Sequence, residues 1–276
     1  MIGILLCVTA LLQAQDSVKS FDEFFVAGMD KIDGVFPVYV AEKEIYLEIP
    51  EKYIGREIEV SGQIDRGFDL LNRPVDGLGV VRIISPDKAT ICFQKPFYTE
   101  RILDEKSTYQ QSFSLSNMQP AGKSYPVVAY SKEQGAIIRI TEYLMTGDDW
   151  FSYNDSFIRS LVPELSEIMK IHPFKEGVSF TVRRYHGVEA ERYMLSSSAV
   201  LLPEGSMPLE VTCVVRLLPL KRDQIRLADY RIPYRTLSFK DYSQNPYCMV
   251  EDSLILRWDM SPVSYTHLTL PTKLEV

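Results

Sequence analysis

Hydrophobic and polar positions alternate every second residue along most of this chain. In REIEVSGQI, Ile58, Val60 and Ile64 are interleaved with Glu57, Glu59, Ser61 and Gln63. That is the pattern of an antiparallel strand with one buried and one wetted face. In EIYLEIP, Ile45, Leu47 and Ile49 fall on one face and Tyr46 and Glu48 on the other. The same signal predicts strands in VFPVYV and a hairpin of GLGVVRIIS with ATICFQKP across Pro86-Asp87-Lys88. A second hairpin joins YPVVAYS to AIIRITEYL across residues 132–135. VSFTVRRYH, ERYMLSSSAVLL, LEVTCVVRLLP and SLILRWDM complete the strand set. Residues 65–79, with Gly67, Pro74, Gly77 and Gly79, read as a loop.

Two segments have helical spacing instead. Over residues 21–32, Phe21, Phe24, Phe25, Met29 and Ile32 recur at three- and four-residue intervals, behind a Ser20/Glu23 capping box. Over residues 156–171, Ile158, Leu161, Leu165, Ile168 and Met169 do the same, with Pro163 starting or kinking the helix. The fold class expected is therefore α+β and β-rich, with mainly antiparallel sheets, hairpins and one or two short helices.

Composition narrows the function more than the fold. The 276 residues are 46% hydrophobic and 24% charged, as in a globular protein. Thirty Lys and Arg against 37 Asp and Glu give a net charge of -7, with no basic stripe to displace counterions, so no nucleic-acid partner is expected. No apolar run approaches the ~18 residues of a transmembrane helix.

The two ends read as foreign to the fold. Residues 1–15, MIGILLCVTALLQAQ, hold an uncharged apolar core and a small residue at Ala14, the layout of a secretory signal peptide cleaved after Ala14 or Gln15. Export to the periplasm, the outer membrane or the outside follows. Residues 263–272, VSYTHLTLPT, resemble one reading frame of a widely used transposase sequencing adaptor. Residues 263–276 are accordingly read as a non-native read-through tail. The expected division is 1–15 signal peptide, 16–66 small leading domain of helix, hairpin and strand, 67–262 β-rich domain of unknown role, and 263–276 tail. On this reading the natural protein continues past Pro262.

Candidate chemistry is sparse. Phosphate-loop, dinucleotide, nucleophile-elbow and HExxH motifs are all missing from the sequence. His172 and His186 lack a second His one helical turn away and read as packing or turn residues. Cys92 and Cys213 sit in apolar strands and read as small buried residues, and Cys248 reads as an ordinary loop cysteine. The Thr146-Gly147-Asp148-Asp149-Trp150 run, with Asp155 behind it, fails the EF-hand spacing and reads as a turn-capping loop after AIIRITEYL. TVRRYHG reads as a solvated sheet face. No catalytic, metal or cofactor-binding residue is assigned.

Three strings, in order, resemble the N-terminal part of large secreted zinc-dependent metalloproteases of Gram-negative bacteria. They are FDEFF…GVFPVYVAEKEIYLEIPEKYIGREIEVSGQI, then EYLMTGDDWF, then DYRIPYRTLSFKDYSQNPYCMVEDSLILRWDM. The resemblance implies a metzincin-type HExxH catalytic domain downstream, holding zinc through its histidines and using its glutamate as general base. This fragment itself would then hold no cofactor. Its partners would be its own catalytic domain and that domain's peptide or protein substrate, which it shields, supports or positions. In some metzincins a propeptide Cys or Asp caps the zinc, a role for which Cys248 lies nearest the missing domain. The alternative is a stand-alone β-rich module of the cell envelope that binds glycan or peptide.

Overall fold

The computed structural model describes residues 18–67, 74–96, 100–102, 106, 108–120, 122–147, 150–152, 160–188, 192–195, 198–201, 205–220, 226–229, 231, 233, 235–243 and 249–255. The expected signal peptide and read-through tail both lie outside the described residues. The chain forms two compact units, residues 1–96 with 119–220, and residues 97–118 with 221–276.

Strands dominate, as the alternation predicts. A single helical turn α1 (Phe21–Phe24) precedes β1 (Met29–Ile32), β2 (Val38–Ala41), β3 (Glu44–Ile49) and β4 (Glu57–Arg66). Next come β5 (Pro74–Asp87), β6 (Thr90–Gln94), β7 (Glu100–Arg101), α2 (Gln110–Ser116), β8 (Lys123–Tyr130) and β9 (Ala136–Arg139). The order continues through α3 (Thr141–Thr146), β10 (Phe151–Ser152), β11 (Ser160–Leu161), β12 (Glu167–Phe174) and β13 (Gly177–Val188). It closes with β14 (Arg192–Leu195), β15 (Ser198–Leu201), β16 (Gly205–Leu217), β17 (Thr236–Asp241) and β18 (Val250–Ile255).

In the first unit a 13-stranded sheet runs β1-β2-β3-β9-β8-β6-β5-β4-β16-β13-β11, with β10 added on β5 and β12 on β13. Every pairing in it is antiparallel. The strands of residues 18–66 lie within this sheet, since β3 pairs with β9 and β4 with both β5 and β16. The sheet curls until its ends approach: a Cβ on Gly34, just past β1, would lie 3.1 Å from the Pro173 Cβ near the end of β12.

One face is the main core. Ile45, Leu47, Ile58, Val60, Val182 and Val211 are all buried in it, as the alternation requires. On the opposite face, under α1, Phe24, Tyr39, Ala129 and Ile137 form a satellite cluster. Phe24 meets Tyr39 and Tyr46 edge to face, with centroids 5.5 and 5.0 Å apart. The capping box holds: the Ser20 N–H donates to Glu23 Oε2 at 2.9 Å, which pulls the Glu23 carboxyl below its usual range.

Four local expectations are overturned. The loop predicted over residues 65–79 is strand at both ends, since β4 runs to Arg66 and β5 starts at Pro74. The helix predicted over residues 21–32 is one turn long: Gly28 adopts φ 94°, and β1 then pairs Met29 and Ile32 with Ala41 and Val38. The described part of the helix predicted over residues 156–171 is β11, a 3-10 turn Pro163–Leu165 and β12. AIIRITEYL is a strand only to Arg139. Thr141 Oγ1 donates to Glu44 Oε2 and accepts from the Ile45 N–H, both at 2.8 Å, which turns the chain into α3. Gly147 then ends α3 at φ 79°, a left-handed cap that glycine adopts without Cβ strain.

The second unit is a three-stranded sheet, β18-β17-β7, with β7 parallel to β17. In the same unit the Phe113 ring of α2 lies 5.6 Å from that of Tyr242.

Candidate functional site

A sheet that curls without closing leaves an unpaired edge at each end of its strand order. Among the described residues these are β1 and the strand pair β11/β12. The all-antiparallel strand order gives β1 and β12 the same chain direction. They come into contact at Gly34 and Pro173, and residues 30–32 and 164–171 line a common groove. The groove has a volume of about 860 Å³.

The groove is apolar below and charged at its mouth. Ile32, Val40, Met145, Ile168 and Ile171 line it and pack on the main core. Leu165 and Met169, 51% and 44% exposed, present further apolar surface to it. Asp30, Glu42, Lys43, Glu164 and Lys170 also line it, none with an ion-pair partner among the described residues. Lys31 and Glu167 are engaged elsewhere. Lys31 Nζ lies 2.9 Å from Asp33 Oδ1, a hydrogen bond that raises its pKa, and Glu167 accepts from Arg183 Nη1 at 2.8 Å.

A second polar surface covers the outer face of β12, β13, β16 and β4. Arg183 is held between Glu210 and Glu167, with Nη2 2.7 Å from Glu210 Oε1 and Nη1 2.8 Å from Glu167 Oε1. Thr181 and Thr212 share a hydroxyl contact of 2.9 Å, and Thr212 Oγ1 also donates to Asp65 Oδ2. Arg66, Arg183, Tyr185 and Met207 border a depression of about 400 Å³ there.

Only half of TVRRYHG is a wetted face. Arg184 and His186 alternate with Arg183 and Tyr185, so they point into the core, with exposures of 2% and 9%. Arg184 Nε and Nη2 donate to the Leu144 carbonyl of α3 at 3.1 and 2.7 Å, satisfying a helix end the main chain leaves open. Sequence reasoning missed this inward pair, although the strict two-residue period of β13 encodes it.

His186 has neither ring nitrogen hydrogen-bonded. Burial, with Arg184 adding to it, pulls its pKa from 6.5 down to about 4. The unfolded chain therefore binds the extra proton between those values. Stability from this group is full above pH 6.5 and declines as the pH falls to 4. The decline is worth at most about 3 kcal/mol. His186→Leu should remove that slope, leaving an acid limb shallower by one proton in urea titrations from pH 7 to 4. Superimposable limbs would show that the ring titrates normally.

His172 is exposed on β12 opposite Ser179, seven residues along β13 from His186, so the two histidines are not brought together. Cys92 and Cys213 are free and buried, as their apolar strands predict, and burial pushes the Cys213 thiol well up. Cys7, Cys248, Asp148, Asp149 and Asp155 lie outside the described residues. Trp150, read from sequence as part of a polar loop, is fully buried, and its Nε1 donates to Tyr125 Oη at 2.8 Å. Among the described residues no three His, Cys, Asp or Glu converge where a metal ion would sit. No described helix is long and apolar enough to cross a membrane.

What is left is a large antiparallel β scaffold with an open seam and a polar outer face. Residues 79–263, more than half of the chain, match the domain of unknown function DUF5117, and the chain belongs to that family. Residues 18–67 match a second domain of unknown function, DUF5118. No curated protein matches the chain, and no solved structure does.

Proposed function

We propose that this chain is a non-catalytic N-terminal region of an exported zinc-dependent metallopeptidase and that it positions polypeptide for the catalytic domain. The ordered resemblance of its three sequence segments supports the parent. The seam supports the positioning role: two unpaired strand edges flank a groove of about 860 Å³ beside the apolar residues Leu165 and Met169. Zinc and the general base belong to the downstream domain. The work of this region is binding, which lowers the cost of orienting a long substrate.

The test uses the uninterrupted parent protein. Removing residues 18–255 should lower kcat/KM at least 10-fold on substrates longer than about ten residues and leave short chromogenic peptides unchanged. An equal loss on both would make the region a folding aid, and the lack of an HExxH segment in the parent would end the peptidase reading. A stand-alone glycan-binding module is the second reading. It is favoured by Tyr185 beside Arg66 and Arg183 on the outer face, and glycan-array binding lost in Tyr185→Ala would select it.

A further inference from the structure

We infer that the seam between β1 and β12 is a strand-addition site, taking one extended peptide segment whose main chain pairs with the flanking edges. The inference rests on the polypeptide-binding reading above and names where and how the segment binds.

The first support is the chemistry of the edges. Among the described residues, every strand on the path of the large sheet between β1 and β11/β12 has a partner on each side, whereas β1 pairs only with β2, and β12 only with β13. Each therefore presents a row of main-chain N–H and C=O groups at about strand spacing, which an extended backbone satisfies and a compact ligand does not. Their parallel courses toward Gly34 and Pro173 let one inserted strand run alongside both.

The second support is size. A residue in a packed sheet occupies about 160 Å³, from ~3.3 Å of rise, ~4.8 Å of strand spacing and ~10 Å between layers. The groove of about 860 Å³ holds about five such residues, comparable to the four residues of β1. Alternate side chains of the segment would reach Ile32, Met145, Ile168 and Ile171 and so be apolar.

Charge selects the occupant. Among the groove's charges without an ion pair among the described residues, Asp30, Glu42 and Glu164 outnumber Lys43 and Lys170. The segment therefore carries a Lys or Arg at the end lying in the mouth. A second copy of this chain fits less well, because it brings a further net charge of -7 to an acidic rim.

The probe is an acetylated, amidated hexapeptide of alternating valine and threonine with one terminal arginine, labelled for fluorescence anisotropy. Saturable binding is expected, at least 10-fold weaker when alternate amides are N-methylated and at least 3-fold weaker with glutamate for arginine. The double substitution Asp30→Lys and Glu164→Lys, on exposed side chains, should reverse the arginine preference. Hydrogen exchange should slow in residues 30–32 and 167–171. Equal binding of the N-methylated peptide, protection elsewhere, or dimerisation that shields the same amides would overturn the inference. Those results would leave the long-substrate assay on the parent standing, whereas a flat result there with seam binding intact would remove the peptidase role alone.

Discussion

Trp150→Ala should cost about 3–5 kcal/mol of folding stability, the range for emptying a fully packed aromatic site. The indole is 0% exposed, stacks on Tyr143 with centroids 6.1 Å apart and packs against Phe93 at 5.8 Å. Its backbone is engaged too, since the Trp150 carbonyl accepts the Leu78 N–H at 3.1 Å. Trp150→Phe keeps much of the volume but removes the donor to Tyr125 Oη. That buried hydroxyl would then lack its indole donor, at about 1–2 kcal/mol. In Tyr125→Phe the indole N–H is stranded instead, so the double variant Trp150→Phe, Tyr125→Phe should cost less than the sum of the two singles. Urea denaturation followed by far-UV circular dichroism measures all of these. A loss below about 1 kcal/mol for Trp150→Ala would show that this aromatic cluster is not holding the sheet.

The strands were legible because one buried face imposes a period of two. Ile58 and Val60 of β4 and Val178, Phe180 and Val182 of β13 are all buried, at the positions the alternation selects. The failures have equally specific causes. In β12 the register slips between Ile168 and Lys170, a bulge at Met169 that places Ile168 opposite Val182 and Ile171 opposite Phe180. Residues three apart then share a face, which in sequence cannot be told from a helix. Near α1 the aromatic spacing is helical, but the four residues after Gly28 gain a strand partner in β2, and pairing outweighs weak propensity. Trp150 follows two aspartates, and only the tertiary structure shows that the chain turns inward there.

The seam was illegible for a different reason. Which strands remain unpaired depends on where the curling sheet stops, and β1 and β12 are separated by most of the first unit's sequence. Alternation marks a strand and its buried face, but it is silent about the neighbour on each edge. Reading a binding site of this kind requires the strand order, whereas the core requires only the pattern.

Glu48→Ala should be the second large loss, also about 3–5 kcal/mol, because the carboxylate is a buried structural acceptor. Sequence alternation places Glu48 on the wetted face of β3, yet α1 and its aromatic cluster cover that face, and Glu48 is 4% exposed. Tyr39 Oη donates to Oε2 at 2.7 Å and Ser131 Oγ to Oε1 at 2.6 Å. Ser131 in turn accepts the Gly135 N–H at 3.0 Å, so the carboxylate fixes the turn between β8 and β9. Gly135 is needed there because a Cβ would run into the Glu48 side chain. Burial and the carboxylate together push the Tyr39 phenol well above its usual range, which keeps it a donor throughout the folded pH range. Removing the acceptor strands two buried hydroxyls. Glu48→Gln keeps one acceptor oxygen but turns an amide donor toward a hydroxyl, and should cost about half as much. Tyr39→Phe and Ser131→Ala should each cost about 1–2 kcal/mol. Because the network is shielded from solvent, the Glu48→Ala loss should persist in 1 M NaCl, where surface ion pairs are screened within ~3 Å. A loss of a few tenths of a kcal/mol that vanishes with salt would instead place Glu48 among solvated rim charges.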